Sequence, residues 1–72
     1  MKVKIRLDTL TDIKDFVNTV SYVGNDVHLT DGTNLKVSAK SLMGAIYTME
    51  WAEVFCESKE DIYHLISRFI VE

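Results

Sequence analysis

Ser38-Ala39-Lys40-Ser41-Leu42-Met43-Gly44-Ala45-Ile46 is where the chain changes its period. Just before it, Leu35 and Val37 alternate with Asn34 and Lys36, the spacing of a strand with one wet face. From Leu42 onward, Leu42, Ala45, Ile46 and Met49 recur at helical spacing. A strand therefore runs into a helix here. Ser38 suits the N-cap, which puts Ser41 at the third helical position, where backbone amides and the positive end of the dipole favour a phosphate. Lys40 adds a cation beside it. Met43 and Tyr47 lie on a second line of the helix. So many apolar residues exceed one stripe, and Met43 and Tyr47 are the expected surface contacts. Gly44 costs stability inside a helix, which points to close packing or a partner's approach.

Working outward to the N-terminus, Lys2 to Leu7 alternates strictly, with Val3, Ile5 and Leu7 on one side and Lys2, Lys4 and Arg6 on the other. That predicts a half-buried strand whose basic face solvates the sheet and discourages edge pairing. Thr9 and Asp12 have capping-box spacing, and Leu10, Ile13, Phe16, Val17 and Val20 form one helical stripe through about Tyr22. Gly24-Asn25-Asp26 ends it. Val27 and Leu29 then mark a second strand, and Asp31-Gly32 a hairpin into the third.

Working outward to the C-terminus, Ala52, Val54 and Cys56 form the inward set of a fourth strand. Trp51 and Phe55 are expected on its open side with Glu53 and Glu57, where two aromatics would mark a secondary interface or a homodimer surface. Ser58-Lys59-Glu60-Asp61 is a second capping box, predicting a last helix with Ile62, Leu65, Ile66 and Phe69 as its core stripe. His64 and Arg68 are four apart on its polar side. Periodicity alone thus predicts a two-layer α+β domain.

Composition narrows the function. The chain of 72 residues is 47% hydrophobic and 26% charged, the balance of one globular domain. A net charge of −3 without a Lys/Arg cluster argues against nucleic acid and anionic membranes as partners. No apolar run reaches the length of a membrane span, and a cytoplasmic location is expected. Cys56 is alone, so no internal disulfide or cysteine metal cluster can form. No carboxylate pair, metal-ligand spacing or Gly-rich phosphate loop points to an enzyme, a cofactor or a metal.

The order Lys40-Ser41-Leu42-Met43-Gly44 resembles the regulatory-serine region of HPr, the histidine-containing phosphocarrier family of the bacterial sugar phosphotransferase system. The resemblance implies one HPr-like domain over residues 1–72, an open-faced β-sandwich of order β-α-β-β-α-β-α. Its four-stranded antiparallel sheet would carry all helices on one face. It further implies that Ser41 is a phosphorylation point and that Leu42, Met43, Ile46 and Tyr47 match an exposed docking patch.

The chain departs from the family in three places. The family's phosphocarrier motif, Gly-Leu-His-Ala-Arg-Pro, would fall at the first helix start, yet no His, Arg, Pro or Gly occurs from Asp8 to Val23. Asp8, Asp12 and Asp15 there would repel a phosphate. The hairpin is longer than the family's, and the Gly-containing loop before the fourth strand is missing.

The expectation is therefore a regulatory or interaction module without phosphocarrier activity, similar in logic to the catabolite-repression HPr-like proteins. Its partners would be proteins such as a kinase or a transcription regulator. Two alternatives remain open. One is a phosphocarrier using His28 or His64 as acceptor, and the other is a structural or assembly subunit that is never phosphorylated.

Overall fold

In the computed structural model, which describes residues 1–71, the alternation of Lys2–Ile5 becomes the first strand, β1. Thr9 caps helix α1, Leu10–Val20. Its hydroxyl accepts from the Asp12 amide at 3.1 Å, and the Asp12 carboxylate accepts from the Thr9 amide at 3.3 Å. The capping box read from the sequence is formed, and the helix presents Ile13, Phe16 and Val20 to the interior. Full burial of such side chains contributes roughly 1.5–3 kcal/mol each. Phe16 meets Phe69 edge-to-face, with ring centroids 5.2 Å apart.

Strand β2, Val27–Thr30, turns into β3, Lys36–Ser38. The loop is five residues long because the Asp31 carboxylate organises it, accepting from the amides of Thr33 (2.9 Å) and Leu35 (3.1 Å). Leu35, expected in the strand, sits exposed in this loop. Gly32 takes φ +89°, a conformation that glycine adopts without steric cost.

Helix α2, Leu42–Tyr47, begins three residues later than expected. Ser38 ends β3, and Ser41 is the N-cap. The helix tightens into a 3₁₀ turn over Thr48–Glu50, and β4 follows as Val54–Ser58. Ala52, expected to point inward, is exposed ahead of the strand.

The sheet is antiparallel with order β1-β4-β2-β3. Register places Val3, Cys56, Leu29 and Val37 in one row across the buried face. Two rows cross the other face: Lys2, Glu57, His28, Ser38, and Lys4, Phe55, Thr30, Lys36. The buried side chains of both helices join the inner face in one core, so the helices cover one side of an open sheet. Gly44 lets α2 settle on β3. A Cβ there would stand 3.2 Å from the Ser38 carbonyl oxygen and 3.3 Å from the Val37 Cβ.

The last predicted helix is the main correction. Residues 59–70 form turns and a short 3₁₀ turn, Ser67–Phe69. Ser58 is the final residue of β4 rather than a helix cap. Ile70 bridges to Ile5, the Arg6 amide donates to the Phe69 carbonyl at 2.9 Å, and the Val71 amide to the Lys4 carbonyl at 3.0 Å. The chain end thus covers the outer edge of β1.

Candidate functional site

The most distinctive surface begins at Ser41. The Ser41 amide donates to the Ser38 carbonyl at 3.2 Å, which turns the chain out of β3. Its hydroxyl accepts from the Gly44 amide at 3.2 Å, satisfying one free donor of the first helical turn. Ser41 itself is exposed. Lys40 does not stand over it as the sequence suggests. The Lys40 ammonium donates instead to the Val23 carbonyl, in the turn after α1.

Along α2 only Ala45 faces fully inward. Met43 is 82% and Tyr47 65% exposed, while Leu42 and Ile46 are 40% and 39% exposed. These four are neighbours at i, i+1, i+4 and i+5, so they form one apolar strip starting next to Ser41. Met49, which the helical pattern put on the inner side, is exposed as well. The cause is the 3₁₀ turn, which rotates Thr48 inward in its place, its hydroxyl donating to the Ala45 carbonyl at 2.7 Å. No local sequence signal marks that tightening.

Trp51 and Phe55 do not share a surface. Trp51 lies ahead of β4, half-buried against the core, with its amide donating to the Thr48 carbonyl at 3.0 Å. Phe55 stands on the open face of the sheet, also half-buried. The Lys2 ammonium lies over its ring, 5.4 Å from the centroid.

The start of α1 is acidic. Asp8 lies 3.8 Å from Arg6, Asp12 is held in the capping box, and Asp15 pairs with Arg68 at 3.0 Å. His28 sits on the open sheet face across from Glu57 and Ser38. His64 is exposed beside Tyr63, ring centroids 6.2 Å apart. Lys36 and Glu57 pair at 2.8 Å on the open face, which with Lys2 and His28 nearby keeps the Glu57 carboxyl below its usual pKa. Among the described residues, no group of three or more His, Cys, Asp or Glu side chains could hold a metal ion. No helix among them is long and apolar enough to cross a membrane.

In comparisons with known proteins, no family model, no curated protein and no solved structure matches the chain.

Proposed function

We propose that this chain is an HPr-like interaction module of the sugar-phosphotransferase type, acting in the cytoplasm without histidine phosphocarrier activity. Phosphorylation of Ser41 switches it, and the strip of Leu42, Met43, Ile46 and Tyr47 docks the partner protein, a kinase or a transcription regulator. The observation that carries this reading is the adjacency of an exposed serine hydroxyl and an exposed apolar strip on one short helix. The element order β-α-β-β-α-β, the antiparallel sheet and the helices on one side of it support the finer fold assignment.

The chemistry is consistent with a switch. Transfer of the γ-phosphoryl of ATP to the Ser41 Oγ releases ADP and the hydroxyl proton. It adds close to two negative charges beside an apolar strip. Phosphate oxygens can take over the Gly44 amide that the hydroxyl now accepts. A partner that buries Leu42 and Met43 would then have to desolvate that charge or match it with its own cations. The carboxylates of Asp8 and Asp12 at the helix start, with Asp15 one turn further on, support the loss of phosphocarrier chemistry, because an incoming phosphoryl group would have to be held beside them.

The test is intact-mass analysis after incubation with HPr kinase and ATP, and separately with enzyme I and phosphoenolpyruvate. One phosphate from the kinase, absent in Ser41→Ala, is the expected result. An acid-labile phosphate from enzyme I would replace this reading with a phosphocarrier acting through His28 or His64. No label in either arm, beside a working HPr control, would leave the strip as a constitutive assembly surface.

A further inference from the structure

Residues 58–69 carry a helical pattern that the fold leaves unfinished. Ser58 and Asp61 have capping-box spacing, and Ile62, Leu65, Ile66 and Phe69 repeat at helical intervals. In the structure the segment is two separate turns. The Ile66 amide donates to the Ile62 carbonyl at 3.2 Å, an α-helical bond, and the Leu65 amide shares that acceptor at 3.0 Å. The 3₁₀ turn that follows is closed by the Phe69 amide on the Ile66 carbonyl at 2.9 Å. Between the two, Ile66 stands at φ −111°, ψ 15°, outside the helical basin.

One group that a continuous helix would use stands idle, and others are engaged elsewhere. The Ser58 hydroxyl is buried and has no hydrogen-bond partner among the described residues. The Asp61 carboxylate, rather than reaching back to Ser58, accepts from the Tyr63 amide at 3.0 Å. As the last residue of β4, Ser58 already has the extended backbone that an N-cap uses, so it can cap a helix without leaving the sheet. The buried anchors of the two-turn form are Ile62, Ile66 and Phe69, at i, i+4 and i+7. The same three side chains would anchor the helix, so the core contacts favour neither form. Leu65 differs: it is 48% exposed now and would join the stripe on rewinding.

We propose that residues 59–69 interconvert between this two-turn form and a continuous α-helix capped by Ser58. The two-turn form is tied down by the Ile62 amide on the Met1 sulfur at 3.0 Å, by the Ile70–Ile5 bridge, by the Arg68–Asp15 ion pair at 3.0 Å and by the Asn25 amide on the Glu60 carboxylate. It also shapes an open hollow between Tyr22, Val23 and Gly24 on one side and Glu60, Asp61, Ile62, His64 and Leu65 on the other. Rewinding moves the five lining residues of the second side.

The experiment is NMR on the labelled full chain, reading Cα secondary shifts and relaxation dispersion for residues 59–69. Exchange confined to this segment and its contacts is expected. His64 is exposed, so His64→Ala and His64→Gly should move the Cα shifts in opposite directions along one line, the two helix ratios differing about fivefold. Ser58→Ala should move them toward the two-turn form several-fold. Flat dispersion, or shifts that ignore all three substitutions, would overturn the proposal. Global unfolding followed in parallel separates these effects from loss of the fold.

Discussion

Gly32 comes down on the edge of Phe55 so closely that a Cβ on Gly32 would stand 2.9 Å from the phenyl Cε1. Gly32 also holds φ +89°. The hairpin loop and the Phe55 ring on the open sheet face are thus a matched pair. Gly32→Ala is expected to destabilise the fold by about 1–2 kcal/mol from the backbone alone, with a further loss from displacing the ring. Chemical denaturation checks this. In a Phe55→Leu background the steric part should shrink while the backbone part remains.

Acid should weaken the same hairpin. Hydrogen bonds, first from the Thr33 amide, hold the Asp31 carboxyl below its ordinary value of 3.8, and the Lys36 hydrogen bond does the same for Glu57. A carboxyl whose pKa is depressed by folding stabilises the protein above its unfolded pKa, and that contribution is lost as pH falls through the folded value. Stability should therefore drop as pH passes below about 4. Asp31→Asn, which keeps an acceptor for the Thr33 and Leu35 amides, should flatten part of that drop in denaturation curves taken between neutral and acid pH.

Cys56 should be inert in the native state. It is fully buried on the inner face of β4, and burial pushes its thiol pKa up to about 11. Alkylation by iodoacetamide at mildly alkaline pH, followed by mass, should be slow in buffer and fast in denaturant. Rapid native labelling would mean that β4 opens locally.

The α2 strip should be dispensable for folding. Met43→Lys and Tyr47→Lys alter side chains that are mostly in solvent, so each is expected to change stability by less than about 0.5 kcal/mol. If the strip docks a partner, the same substitutions should abolish that binding while thermal melting stays within a few degrees. Equal losses of stability and binding would instead mark these residues as core.

Local signals were legible wherever a few neighbouring residues decide the outcome. Thr9 and Asp12 close their capping box within one turn, and Val27 with Leu29 defines a strand face by simple alternation. Ser41 as a helix-start residue was legible too, although the true cap lies three residues beyond Ser38 because the Ser38 carbonyl accepts the Ser41 amide and bends the chain there. The 3₁₀ turn that exposes Met49 was not legible, since it depends on Thr48 finding the Ala45 carbonyl inside the core.

By itself, then, the sequence determined the α+β class, the order of the first six elements and the serine-plus-apolar character of α2, since period and capping are written in neighbouring residues. The tertiary structure alone decided how Ser58 to Val71 is used. The Ser58 amide donates to the Met1 carbonyl at 2.9 Å, the Ile62 amide to the Met1 sulfur at 3.0 Å, and Ile70 bridges to Ile5. These partners lie more than fifty residues away in sequence. Their bonds offset a helical preference that the local pattern expresses plainly, because covering the β1 edge satisfies backbone groups that a helix would leave open.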